Sequence, residues 1–259
     1  MPQQPLDGFP VLAIFAIFAV ISLAVYEVGF RVGRWWQART PGEQEGPTGV
    51  LVGSILGLLA FLLAITMGMA SDRFDTRRSL VLTEANAIGT TYLRAGYIPE
   101  PASSDVRTLL REYVPLRIAP SDQATLATNI ARSRELLEDM WAIAEDVARS
   151  PASNDVTALF IESLNETIDL NTTRVVAGVY ARVPETILWL LIGGSVLTLA
   201  MVGYSAGTTG QRSVLSALVV VLAFGVVIAL VIDLDRPRDG FIQVSQLPMI
   251  QLMEQLGPP

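Results

Sequence analysis

Carboxylates and guanidiniums are the only strongly ionisable groups that this sequence offers. All 18 basic residues are Arg, against 25 acidic residues, and His and Cys are absent. Without imidazole there is no pH switch near neutrality, and without thiols there is no disulfide, thiolate zinc site or Cys nucleophile. No phosphate-cradling glycine loop, nucleophile elbow or metal-ligand cluster occurs. The reading is therefore of a protein that is not an enzyme and has no cofactor and no metal. A net charge of −7 without a basic tract also excludes nucleic acid as a partner. What the charged residues can do is pair with each other or face a passing ion.

Four charge groups matter. Glu27 lies one helical turn before Arg31, and the two are expected to pair, because a carboxylate inside an apolar stretch is costly alone. Asp72, Arg73, Asp75, Arg77 and Arg78 follow the second apolar block, and their mixed signs read as a salt-bridged collar rather than a selective ring. Glu84, Asn86, Gly89, Thr90 and Arg94 lie in a helical run whose Ala85, Ala87 and Gly89 permit close packing, with Glu84 and Arg94 in ion pairs. Asp233, Asp235, Arg236, Pro237, Arg238, Asp239 and Gly240 make a charged turn after the last apolar block, with Asp235 and Arg236 expected to pair with charges near the collar.

These groups are positioned by four apolar blocks. Mean hydropathy is +0.46, and the apolar residues are concentrated in stretches of about 20, enough to cross roughly 30 Å of hydrocarbon as a helix. The chain thus reads as an all-α integral membrane protein. The expected division is 1–70 for a first pair of spans (11–30 and 49–70), 71–184 for a water-facing helical segment, 185–232 for a second pair (186–204 and 213–232), and 233–259 for a tail with a short helix. The first block reads as a retained span, since no Arg precedes it and Arg31, Arg34, Trp35, Trp36 and Arg39 follow as an interfacial anchor. Near the membrane, Arg31, Arg34, Arg39 and Arg212 oppose the more numerous Arg73, Arg77, Arg78, Arg174, Arg182, Arg236 and Arg238. That bias puts both termini and the middle segment in the cytoplasm.

The second span has an unusual stripe: Gly49, Gly53, Gly57, Ala60, Ala64 and Gly68 recur at steps of three or four. Small residues let backbones approach closely in lipid, so the stripe is either a packing face or a pore wall. In the second case Leu58, Phe61 and Ile65 are the bulky neighbours that would set a constriction able to gate by dewetting. No breaker separates this span from the apolar positions at 74, 81, 85, 88, 92 and 95, so one helix is expected to run on to about Gly96, where Pro99 and Pro101 stop it. Further helices are expected from Ser103, from Ser121-Asp122 to about Arg149, and from about Ser153 to a break at Pro184. The segments 101–106 and 151–156 echo one another, which is read as two helix starts chosen by the same capping physics.

The runs Glu84-Ala-Asn-Ala-Ile-Gly-Thr90, Tyr92-Leu-Arg94 and Leu234-Asp-Arg-Pro237 with Gly240 resemble the bestrophin-like family of bacterial and plant membrane proteins. The order of spans also resembles it, and the resemblance covers nearly the whole chain. It implies a relation to bestrophins, which are pentameric ion channels whose second span lines a pore with an apolar neck. The resemblance places Phe61 and Ile65 as neck candidates. The function expected is an oligomeric ion channel of the bacterial inner membrane, with lipid, further copies of itself (a pentamer) and a permeant ion of unstated identity as partners. The alternative is a non-conducting, membrane-anchored helical scaffold or signalling protein that binds a partner. A proton-driven stator ranks behind both, because spans two to four carry no titratable group.

Overall fold

The computed structural model describes residues 5–40, 48–120, 122–151, 154–237 and 240–258. Ser121, Ser153, Arg238 and Asp239 lie outside these, so the helix-start and charge assignments made on them stay with the sequence. The described residues form helices and no strand: α1 (Val11–Arg39), α2 (Thr48–Arg94), α3 (Ala102–Leu116), α4 (Gln123–Arg149), α5 (Asp155–Val175), α6 (Glu185–Thr209), α7 (Val214–Asp235) and α8 (Leu247–Leu256). A 3₁₀ turn, Ala95–Tyr97, follows α2, and a π-helical turn, Val176–Tyr180, follows α5. Four helical stretches are long and apolar enough to cross a bilayer, and they contain α1, α2, α6 and α7. The chain divides into two units. One comprises Met1–Arg73 and Arg182–Ile242, the other Phe74–Ala181 and Gln243–Pro259; α2 contributes to both.

In the first unit α1 packs on α6 and, less extensively, on α7. The reason is a glycine pairing that the sequence reading passed over. Gly29 and Gly33 of α1 face Gly203 and Gly207 of α6, one turn apart on each helix. A methyl group added at Gly29 would fall on the Ala200 carbonyl oxygen, and one at Gly203 on the Tyr26 carbonyl oxygen. Lipid supplies no hydrophobic drive between helices, so this backbone-to-backbone approach is what binds them. Gly203→Leu should therefore destabilise the fold by about 1–3 kcal/mol or more. Gly53→Leu, where nothing stands within 4 Å of the added atom, should leave the melting temperature in detergent unchanged, and equal shifts for the two variants would refute the assignment. The helix α1 runs on through the anchor to Arg39, whose guanidinium lies 3.9 Å over the Trp35 ring. Glu27 pairs with Arg31 at 3.0 Å as expected, and also with Arg212 at 2.7 Å.

In the second unit the amphipathic stripes of α3, α4 and α5 meet α8 and the inward face of α2. Tyr113, Leu110, Leu136, Met140, Phe160, Leu164 and Met249 are fully buried there. The Arg111 guanidinium donates to the Leu256 carbonyl at 2.9 Å and so ties down the end of α8. The start of α4 after Asp122 is as expected, whereas the starts of α3 and α5 differ from the sequence expectation. At α3 the cap is Glu100, whose carboxylate accepts from the Ser104 hydroxyl at 2.7 Å and the Ser104 amide at 3.1 Å, while Ser103 is buried inside the helix. Those Ser104 bonds hold the Glu100 carboxyl below the usual range. Asp122 caps α4 through the Thr125 amide at 2.7 Å, and Asn154 caps α5 through the Val156 and Thr157 amides, both at 2.9 Å. The echoing segments thus do not start helices in the same way: the first enters α3 at Ala102, the second reaches α5 only at Asp155, after an Asn cap with a reach that Pro101 lacks.

Candidate functional site

The helix α2 sorts its residues by side. Leu59, Leu63, Thr66, Ala70, Arg77, Val81, Glu84, Ile88 and Thr91 are buried and recur on one face. On the opposite face Gly49, Gly53, Gly57, Ala60, Ala64 and Gly68 are all exposed, and nothing stands within 4 Å of a methyl group placed on Gly49, Gly53, Gly57 or Gly68. The small stripe is therefore not a packing face within this chain. Its line continues beyond the apolar half through Asp75, Ser79, Leu82, Asn86 and Leu93, also exposed. Gly57, Asp75 and Leu93 are each about five full turns apart and so stand on one generator of the helix. Phe61, 61% exposed, borders the stripe, and Leu58 and Ile65, also exposed, lie further round.

The collar divides along the same line. Asp72, Asp75 and Arg78 are exposed, whereas Arg77 is turned inward and only 6% exposed. Asp75 and Arg78 make no ion pair with any described residue, so the collar is not closed by bonds between these two. A face of α2 that is mostly small in its apolar half carries Asp75 at its polar mouth, flanked by Asp72 on one side and Arg78 on the other.

Glu84 occupies the inward face and is fully buried. Its carboxylate accepts from Arg117 Nε at 2.7 Å, from Arg174 Nη1, and from the Tyr113 hydroxyl at 3.3 Å. Arg174 also donates to the Gln246 side chain at 2.8 Å. Burial pushes the Tyr113 hydroxyl well above the usual phenol range, with Arg117 pulling the other way, so Tyr113 stays protonated and serves as a donor. At Arg117 burial works against the charge, but Tyr113 and Glu84 more than offset it and the guanidinium is held above its ordinary range. The expected ion pair of Arg94 is not formed; its guanidinium donates to the Leu159 carbonyl at 2.9 Å, because α5 presents backbone rather than a carboxylate there. Gly89 lies against Leu252 of α8, while Asn86 faces outward and Thr90 is half-buried. Thr91, which the sequence reading missed, is buried and bonds to the Ser163 carbonyl at 2.8 Å and the Thr167 hydroxyl at 2.9 Å.

The charged turn after α7 is a second network, internal to the first unit. Asp235 accepts from the Val183 amide at 2.7 Å and Arg182 Nε at 2.8 Å, and Arg182 reaches on to Asp7 at 2.9 Å. Arg236 donates to the carbonyls of Leu6 and Phe9. The expectation that Asp235 and Arg236 pair with the collar is thus corrected: their partners are the chain's first residues and the entry to α6. The physical reason is that α7 ends at Asp235 and Arg236 is extended before Pro237, so the chain leaves the helical path at that point. Asp233 closes the turn by accepting from the amides of Phe241 at 2.8 Å and Ile242 at 2.9 Å. Gly240 sits at φ 146°, where a side chain is strained, and a methyl group there would strike the Asp233 carboxylate.

A model of the bestrophin-like domain family matches residues 14–249. No curated protein matches. Solved structures of a bacterial bestrophin homologue from Klebsiella pneumoniae are similar throughout. One point-mutant form has a TM-score of 0.69 at 13% identity, covering 95% of this chain and 97% of that one. A second mutant form has a TM-score of 0.68 at 12% identity, covering 95% and 98%. A form phased with zinc has a TM-score of 0.64 at 12% identity, covering 95% of each. At such identity the likeness establishes the fold, while the family match rests on the sequence itself. With four apolar helices and a family match over nearly its whole length, the chain belongs to the bestrophin-like family of membrane proteins.

Proposed function

We propose that this protein is a homo-oligomeric ion channel of the bacterial inner membrane, pentameric, with α2 of each copy around a central conduit. One observation carries the reading. The chain leaves a single face of α2 open from Gly49 to Leu93, mostly small residues in its apolar half and a mixture of Asp75, Ser79, Leu82, Asn86 and Leu93 beyond it. Lipid-facing positions need no such smallness, and a water-facing helix gains nothing by continuing the same line into the bilayer. A shared aqueous axis explains both halves of the face at once. The Arg bias sets both termini and the middle segment in the cytoplasm. The apolar neck is assigned to the level of Phe61 and Ile65, both exposed.

Asp75 stands on the centre of that face, with the exposed Asp72 and Arg78 one to each side of it, while Arg77 is turned inward and buried. Rings of carboxylates favour cations, so the conduit is expected to prefer them. Purified protein in a planar bilayer under a salt gradient should give unitary currents with a cation-selective reversal potential. Asp75→Arg should move that potential toward the anion side without abolishing the currents. Silence across several salts would end the channel reading, and an unmoved potential would remove Asp75 from the conduit.

A further inference from the structure

Between α4 and α5, wholly within the second unit, lies a cavity of about 670 Å³. That is the size of an ordinary small-molecule site. Its floor is apolar, built from Leu137, Trp141, Ile168 and Val175. Asn171 projects its amide into this floor, and its Oδ1 is buried without a hydrogen-bond partner among the described residues. A buried amide oxygen left unpaired is destabilising, and any ligand that donates to it removes that cost. The π-helical turn Val176–Tyr180 forms one end of the cavity. Such turns are rare and concentrate at functional sites, because the wide turn shifts side chains out of the regular helical register.

Two opposite charges stand on the rim. Arg134 and Glu138 are one turn apart on α4, both exposed, and neither makes an ion pair with a described residue. The third rim charge, Glu145, is already engaged by Arg149 at 2.9 Å. A rim with one free cation and one free anion, over an apolar floor holding an unpaired acceptor, matches a ligand that is itself dipolar. We propose that this cavity binds an apolar α-amino acid in its zwitterionic form. Its carboxylate meets Arg134, its ammonium meets Glu138 and Asn171 Oδ1, and its side chain lies against Trp141 and Ile168. This site is independent of the conduit reading, since neither Arg134 nor Asn171 belongs to α2.

Isothermal titration of the purified full-length protein with L-phenylalanine tests it. Saturable binding is expected, with phenethylamine (no carboxylate) and 3-phenylpropanoate (no ammonium) each at least about tenfold weaker, one lost charge contact being worth roughly 1.4 kcal/mol. Arg134→Gln and Glu138→Gln, both on the exposed rim, should weaken L-phenylalanine by a similar factor with the melting temperature retained. Ala142→Trp, which fills the cavity, should abolish binding. No saturable heat, equal binding of the singly charged analogues, or undiminished binding to Ala142→Trp would each overturn the proposal. So would a change of oligomer size on Ala142→Trp, because it would mean that another copy of the chain covers the cavity.

Discussion

Gly57→Leu leaves the oligomer assembled and cuts its unitary current severalfold: that is the outcome the open face of α2 demands. The added side chain meets nothing of its own chain within 4 Å of its first atom, so the subunit has no reason to unfold. If the face lines a conduit, each copy adds one branched apolar side chain at the same level, one turn from the exposed Phe61. The lumen narrows, and an apolar constriction that loses its water loses conduction well before it closes sterically. The measurement pairs single-channel recording with mass determination in detergent. If Gly57 were instead buried between copies, the leucine would separate the backbones and the complex would fall apart. A variant that dissociates, or one that conducts like the parent, contradicts the assignment.

Removing the charge of Glu84 should be the most damaging single change in the second unit. Glu84 is fully buried and is the carboxylate on which Arg117 and Arg174 converge. Glu84→Leu would leave two guanidiniums facing each other in a dry interior, and breaking a buried pair in this way costs about 3–5 kcal/mol. The effect is expected as a clear fall in thermal midpoint, read in detergent by intrinsic fluorescence. Arg174→Met introduced together with Glu84→Leu should recover part of the loss, because one of the two stranded charges is then gone. Arg94→Gln is the control, since Arg94 reaches only a backbone carbonyl from an exposed position. A Glu84→Leu protein as stable as the parent would remove the network from any account of the fold.

The open face of α2 and the Glu84 network were not equally legible in the sequence. The small stripe on the second span is visible in the residues alone, because lipid packing leaves a mark at each position. Its role is not, since an open face and a packed face have the same composition. The glycines at 29, 33, 203 and 207 show the converse. They are as regular as the stripe, but each helix holds only two of them, and only the approach of α1 to α6 reveals what they are for. Glu84 and Arg236 were legible as unusual residues in unusual places. Their partners were not, because Arg174 is 90 residues from Glu84 and Leu6 is 230 from Arg236. No local periodicity links residues so far apart. The cavity beside Asn171 left no trace in the sequence, since its floor residues also read as an ordinary helical core stripe.

By itself, the sequence determined which stretches dissolve in lipid, that the chain is helical, where α2 begins its uninterrupted course, and to which family the protein belongs. These follow from the solvent preference and backbone propensity of neighbouring residues, which act over a few turns of helix. Tertiary structure alone decided which face of α2 stays open, which carboxylate meets which guanidinium, and where two helices stand apart enough to admit a ligand. Those outcomes depend on Coulomb and packing energies between residues that only the folded chain brings within a few ångströms.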